Sequence, residues 1–335
     1  MANKDLIDRN LAGLTHSARK AFLTRAFGGE DYAARAAELR RETLARPLVY
    51  VGAGTCGLAA GAAKTLEAAR KYLKDNKLEA DILEVGCIGL CAAEPLLDVQ
   101  IPGQARVSFQ RATGDTVPAL LDSVFRDKAP LKEQVLGQFE DGGKKWPRVP
   151  LMSDHPFFGK QLRFVLKHVG IVDPNSIQEH IARGGYGAFL KVIHTMTPAQ
   201  ACDAVEASGL RGRGGGGFPT GKKWKIALAS DADQKYIICN ADEGDPGAFM
   251  DRSVIEGDPH RVLEGIAIGA YAIHAGKAYI YIRAEYPLAI KNLKKPSPTP
   301  RPTACWARTS TAAASTSTSS SRRAPAPSSA ARRPP

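Results

Sequence analysis

Between Gly209 and Gly217, six of nine residues are glycine. Glycine gives up more backbone freedom on ordering than any other residue, so this stretch must be a loop rather than the inside of a helix or strand. The full motif is Gly209-Leu-Arg-Gly-Arg-Gly-Gly-Gly-Gly-Phe-Pro-Thr-Gly-Lys-Lys-Trp224. About twenty residues later comes Cys239-Asn-Ala-Asp-Glu-Gly-Asp-Pro-Gly-Ala-Phe-Met-Asp251, behind the short apolar run Tyr236-Ile-Ile-Cys239. A glycine run lets main-chain N–H groups approach an anionic ligand where any Cβ would clash. Polar side chains at the C-terminal end of a strand stand where open α/β sheets place their ligands.

The glycine loop alone admits other readings. Gly216-Gly-Phe-Pro-Thr-Gly221-Lys222 fits the G-x-x-x-x-G-K of a P-loop, but Lys223 follows where a Ser or Thr is needed to hold Mg²⁺. RGG-type RNA-binding segments come as repeats in polar sequence, and this is one copy between apolar segments. A plain flexible surface loop is the third reading. The second motif decides against it. Asn240, Asp242, Glu243 and Asp245 crowd directly behind an apolar strand, and such crowding costs repulsion unless the groups serve a ligand.

Both blocks resemble the flavin and NADH site in the family of NADH-binding subunits of complex I. That family includes the diaphorase subunits of NAD-dependent hydrogenases and formate dehydrogenases. The resemblance implies that Gly212, Arg213, Gly214, Gly215, Gly216 and Gly217 line FMN and pass under NADH. It places Phe218 against the adenine and Lys223 near the flavin. Asn240 and Asp242 would bond the isoalloxazine and ribityl chain, with Glu243 and Asp245 near the nicotinamide ribose. The chain departs from the commonest pattern at Gly216, where Ala is usual, and at Asp245, where Glu is usual. The implied chemistry is hydride transfer from NADH to FMN, then single electrons to iron–sulfur clusters of a larger complex. It needs no general base, so no catalytic side chain is assigned, and His260 and His274 read as structural.

The six cysteines are Cys56, Cys87, Cys91, Cys202, Cys239 and Cys305. Residues 1–46 are charged and lack an apolar signal region, and no apolar run reaches the length of a membrane span. A cytoplasmic location is expected, either free or peripheral on the inner membrane through partners, with thiols rather than disulfides. Gly52, Gly54 and Gly57 satisfy G-x-G-x-x-G between a strand and a helix, which by spacing is a dinucleotide fingerprint. Cys56 inside that turn, and Gly86-Cys-Ile-Gly-Leu-Cys91 behind the second strand, argue otherwise. They resemble the thioredoxin-like [2Fe–2S] ferredoxin domain often joined to the flavin subunit. That family uses C-x₄-C and C-x₃-C. Cys87 and Cys91 match the second pair, and Cys56 matches half of the first, whose partner position holds Val51. Four thiolates are the usual requirement. The cluster is therefore absent, labile or completed by another ligand. Cys202 and Cys239 read as core residues.

The expected architecture is α/β: a thioredoxin-like domain, then an incomplete Rossmann-like flavin/NADH-binding domain and a disordered tail. Residues 1–46 form a helical N-terminal segment, 47–130 the ferredoxin domain and 131–160 an extended linker rich in Gly and Pro. Residues 161–295 form the first part of the FMN/NADH domain, and 296–335 the tail. Strands are expected at Ala80–Val85, Pro95–Val99, Ala105–Phe109 and Ala278–Ile282. Helices are expected after a Ser176/Glu179 capping box, behind Thr197-Pro198, over Arg261–Ile273 and from Tyr286.

From Pro296 to Pro335 every residue is Pro, Ser, Thr, Ala, Arg, Cys or Trp. Such a segment cannot bury enough apolar surface to offset its ordering entropy. All seven types have codons with C or G in the middle, as expected of a G/C-rich gene read one base out of frame. Shifted back by one base, Pro296–Thr309 allows Ala-Ile-Ala-Asp-Ala-Ala-Ala-Tyr-Gly-Leu-Leu-Gly-Glu-Asn. Ala324–Pro335 allows Gly-Ala-Gly-Ala-Phe-Val-Cys-Gly-Glu-Glu-Thr-Ala, which resembles the family's second flavin loop. A frame error near Lys295 is the expectation. It would remove that loop and the region where the family carries a [4Fe–4S] cluster, leaving the chain as written impaired.

Of the net charge of +12, six positive charges belong to tail arginines, so residues 1–295 carry +6. That modest excess gives little support to nucleic-acid binding. The alternative to an NADH-oxidising flavin subunit is a non-catalytic electron-relay or assembly module with an empty flavin site.

Overall fold

The structure, a computed structural model, describes residues 7–8, 10–29, 32–245, 247–294 and 320–324. It divides into two compact units. One comprises Leu23–Arg183 with Ser253–Pro259. The other comprises Gly184–Arg252 with the described residues of Asp5–Phe22 and those from His260 on.

In order along the chain, α1 (His16–Phe27) and α2 (Ala33–Leu39) precede β1 (Leu48–Gly52), α3 (Thr55–Ala59), α4 (Ala62–Asp75) and β2 (Asp81–Val85). A single 3₁₀ turn at Cys91–Ala93 leads into β3 (Leu97–Gln100), β4 (Val107–Phe109), α5 (Val117–Phe125) and β5 (Val135–Gln138). These five strands form one sheet in the order β2-β1-β3-β4-β5. β1 and β2 are parallel, while β3 runs antiparallel to both β1 and β4. The first four strands thus have the thioredoxin-like arrangement that the cysteine motifs suggest, and β5 extends the edge antiparallel to β4. β1 is buried along its whole length, so its alternate side chains serve two apolar clusters. Val49 and Val51 join Leu97, Val99, Val107, Phe109, Leu120 and Leu121 in the main core. Leu48 and Tyr50 pack with Val85 on the other side.

The expected linker at 131–160 is part of this core. Besides β5, Trp146 is buried, its indole N–H donating to the Ala105 carbonyl at 2.7 Å. Gln138 clasps the Trp146 backbone through both amide atoms, at 2.7 and 3.0 Å. Glycine and proline mark irregular backbone, but irregular backbone is not necessarily exposed when its polar groups find such partners. Residue 161 is likewise not a boundary. The segment up to Arg183 belongs to the first unit, tied there by Arg41 to Glu179 and by Arg106 Nη2 to the Gly170 carbonyl at 2.7 Å.

The next elements are α6 (Ile177–Ala182), α7 (Gly187–Thr195), α8 (Pro198–Ala207) and α9 (Thr220–Ala229). Ser176 caps α6 by accepting from Glu179 N–H at 3.1 Å. The reciprocal half of that capping box is absent, because the Glu179 carboxylate turns to Arg41 and to the Asp173 N–H. At α8 the box between Thr197 and Gln200 is complete. Then come β6 (Lys235–Ala241), α10 (Met250–Gly257), α11 (Pro259–Ala272), β7 (Ala275–Arg283), α12 (Pro287–Lys294) and β8 (Ser320–Ala324). β6, β7 and β8 lie side by side, all parallel. The strand at 320–324 departs from the expectation of a wholly disordered tail. An open strand edge accepts a neighbour through main-chain hydrogen bonds, which ask little of composition. The rest of that tail, Cys305 included, lies outside the described residues. Cys202 is fully buried as expected, whereas Cys239 is only half-buried, on a strand whose residues alternate in exposure.

Candidate functional site

The glycine loop and the acidic motif both belong to the second unit. Arg211 bridges Pro219 in antiparallel fashion, and Gly212 N–H donates to the Phe218 carbonyl at 2.9 Å. The Arg211 side chain closes the neck further by donating to the Gly217 carbonyl at 2.6 Å. Inside this noose, Gly215 and Gly217 have φ of +92° and +57°, which disfavours a side chain. A Cβ on Gly214, Gly215 or Gly216 would meet nothing within 4 Å. The N–H groups of Gly214–Gly217 make no hydrogen bond among the described residues. The loop is therefore open main chain, able to donate to an anion or lie flat against a ring. Arg213, Phe218 and Lys223 are exposed or half-exposed beside it.

Asn240, Asp242, Glu243 and Asp245 follow at the C-terminal end of β6, which is paired in parallel with β7 (Asn240↔Tyr281, Ala241↔Ile282). Asn240, Asp242 and Asp245 are exposed. The Asn240 side-chain oxygen accepts from Asp242 N–H at 3.3 Å. Glu243 differs from its neighbours. Its two oxygens accept from the N–H groups of Asp251 and Arg252, at 3.0 and 3.2 Å, in the first turn of α10. Tyr286 Oη donates to the same carboxylate at 3.0 Å. A carboxylate at a helix N-terminus satisfies orphan donors and is favoured by the helix dipole. Glu243 thus builds the edge as well as lining it, a duty its sequence position does not signal. No hydrogen bond among the described residues joins the loop to this edge.

The cysteine site lies in the first unit. Cys56 sits in the first turn of α3, and Cys87 and Cys91 lie on the loop between β2 and β3. Their three sulfurs lie within 4.8 Å of one another, with Cys56–Cys91 at 3.2 Å and Cys87–Cys91 at 3.8 Å. The fingerprint glycines make this approach possible. A Cβ on Gly57 would stand 2.0 Å from the Gly52 carbonyl oxygen, and one on Gly54 would stand 2.7 Å from Cys87 N. Here the glycine pattern packs a turn against the cysteine loop. Burial pushes the Cys87 thiol pKa up, and Glu94, Cys56 and Cys91 push it further. A bound cation would reverse this, because ligating thiols must ionise.

Val51, the position of the missing fourth cysteine, is fully buried in the main core and has no donor atom. Glu94, three residues beyond Cys91, carries no signal in the sequence that would single it out. It is 7% exposed. Its Oε2 accepts from Leu96 N–H at 2.9 Å, while Oε1 is buried without a partner. Burial raises its pKa to about 7. An unpartnered buried acceptor costs about 1–3 kcal/mol, so such a group calls for a ligand. The cysteine trio is consistent with an iron–sulfur centre. Close by, Glu256 accepts from both the N–H and the hydroxyl of Thr55 at the start of α3.

Residues 205–301 match the family model described as the Nuo51 FMN-binding domain. Over 136 residues the chain is 63% identical to the HndC component of the NADP-reducing hydrogenase of Solidesulfovibrio fructosivorans, covering 41% of this chain and 27% of that one. Over 144 residues it is 47% identical to an NADH-quinone oxidoreductase subunit of Aquifex aeolicus, covering 43% and 32%. The chain thus spans about a quarter to a third of the length of these curated relatives. A crystal structure of NAD+-reducing [NiFe]-hydrogenase is similar at 21% identity and a TM-score of 0.32, covering 87% of this chain and 47% of that one.

Proposed function

We propose that the chain, whose residues 205–301 match the Nuo51 FMN-binding family, is an NADH-oxidising flavin subunit of a multi-subunit electron-transfer complex. The observation that carries this reading is the open main-chain loop at Gly212–Gly217 in the same unit as a polar edge at the C-terminal end of a parallel sheet. Bound FMN supplies the chemistry, accepting a hydride and releasing single electrons. The chain's residues supply orientation. Gly214–Gly217 offer N–H donors to phosphate or ring atoms, and Arg213 and Lys223 bring positive charge to the same loop. Phe218, partly exposed, offers a face for the adenine. Asn240 and Asp242 bond the flavin's ring and ribityl groups, and Asp245 lies toward the nicotinamide ribose. Glu243 contributes its charge while fixing α10. We place the protein in the cytoplasm, free or held at the membrane face by partners. No helix among the described residues is long and apolar enough to cross a membrane.

The sequence beyond Lys295 belongs to this reading. A flavin held only by the loop and the strand edge buries less surface than one closed in from the other side, so its affinity falls steeply. The test is FMN titration of the chain as written beside a chain with the frame restored after Lys295, each then mixed with NADH. Tight binding and bleaching of the flavin band only in the restored chain is the expected result. Failure of the restored chain to bind FMN would overturn the function. Equal, tight binding by both would overturn the frame error alone.

A further inference from the structure

We propose that Glu94 is the fourth protein ligand of the iron–sulfur centre held by Cys56, Cys87 and Cys91, taking the place that Val51 cannot fill. The inference concerns the cysteine site and does not depend on the flavin reading.

The position of the carboxylate carries the argument. Glu94 follows the 3₁₀ turn Cys91–Ala93, so it rides on the backbone that delivers Cys91. Its side chain folds back under the turn holding Cys56. A Cβ on Gly52 would lie 3.0 Å from Oε2 and 3.5 Å from Oε1, and one on Gly57 would lie 3.1 Å from Oε2. The carboxylate therefore lies against the turn that carries Cys56. The Leu96 N–H holds Oε2 and leaves Oε1, buried and unpartnered, as the atom with a coordination position to give.

The other nearby residues are weaker candidates. Val51 is a core residue of β1 paired on both sides, to Glu84 and to Leu97, and offers no lone pair. Glu256 is buried nearby, but both of its oxygens are taken by Thr55. Asp98 is also buried with Oδ1 unpartnered, but its Oδ2 is held by Arg106 at 2.9 Å and it lies in mid-sheet between Tyr50 and Ser108. Among these candidates, Glu94 alone combines burial, an unpartnered oxygen and a place against the turn that carries Cys56. Coordination releases three thiol protons and leaves a site of three thiolates and one carboxylate. Ligand sets in which other donors replace some cysteines are compatible with two-iron clusters.

The test is anaerobic reconstitution of the full chain with ferrous iron and sulfide. It is read as iron and sulfide per chain, the EPR spectrum after reduction, and the rate of iron loss to a chelator. The wild type should hold the centre, with an EPR signature distinct from an all-thiolate cluster. Glu94→Gln, which keeps shape and removes the anionic ligand, should lose iron at least tenfold faster. Glu94→Cys should restore retention and shift the EPR spectrum toward the all-thiolate form. Thermal unfolding of the metal-free proteins separates misfolding from ligand loss. A Glu94→Gln chain with unchanged iron content, spectrum and chelation rate would overturn the proposal. So would a wild type that takes up no iron, and neither result would bear on FMN binding.

Discussion

A Cβ placed on Gly54 would lie 2.7 Å from the backbone nitrogen of Cys87 and 2.9 Å from its Cβ. The turn that carries Cys56 therefore reaches the cysteine loop only because residue 54 has no side chain.

Gly54→Ala should force the two segments apart, at about 1–3 kcal/mol for an overpacked site. Both the unfolding temperature and the iron retained after reconstitution should fall. Gly265→Ala is the control. It lies exposed on α11 with nothing within 4 Å of its added methyl, and should stabilise by up to about 1 kcal/mol. A Gly54→Ala chain as stable and as iron-rich as the wild type would contradict the close approach.

Asn240→Ala and Asp242→Ala in the frame-restored chain should each weaken FMN binding about tenfold or more, because a ring or ribityl group would lose its partner at roughly 1–3 kcal/mol. Fluorescence titration of FMN measures this directly. Full affinity in both variants would move the flavin away from the end of β6.

The nucleotide preference should depend more on Asp245 than on Glu243. Negative charge here repels the 2′-phosphate of NADPH and favours NADH. The Glu243 carboxylate is already engaged by the Asp251 and Arg252 N–H groups, whereas Asp245 is exposed. Asp245→Asn should therefore raise the ratio of kcat/KM for NADPH over NADH more than Glu243→Gln does. Glu243→Gln should instead lower stability through the start of α10. Relatives with names specifying NADP and NADH both match this chain, so the ratio is informative. Equal ratios in wild type and Asp245→Asn would remove Asp245 from the nucleotide site.

Burial holds the His168 pKa below its usual value, against the raising pull of Asp258 at 3.5 Å and with Arg183 and Lys167 lowering it further. The folded state therefore binds this proton less readily than the unfolded state. The stability contributed is complete above the ordinary histidine pKa of about 6.5 and is lost as pH falls below it. His168→Gln should flatten the acid side of the stability profile in denaturant unfolding measured from pH 7 downward. An unchanged slope would mean that other groups dominate there.

Neighbouring residues alone were enough to say what short stretches of backbone can do. They marked the loop at Gly209–Gly217, the strand ending in Asn240, the Thr197 cap and the three cysteines, because each is set within a few positions. Glycine and proline at 131–160 spoke of irregular backbone, but not of Trp146 buried against Ala105. Long-range packing settled that and the rest. It gave Gly52, Gly54 and Gly57 a packing duty, turned Glu243 onto α10, tied residues up to Arg183 into the first unit and set Glu94 against the turn that carries Cys56. The physical reason is the same throughout. A carboxylate's role depends on which donors meet it after distant segments close, and no local pattern records them.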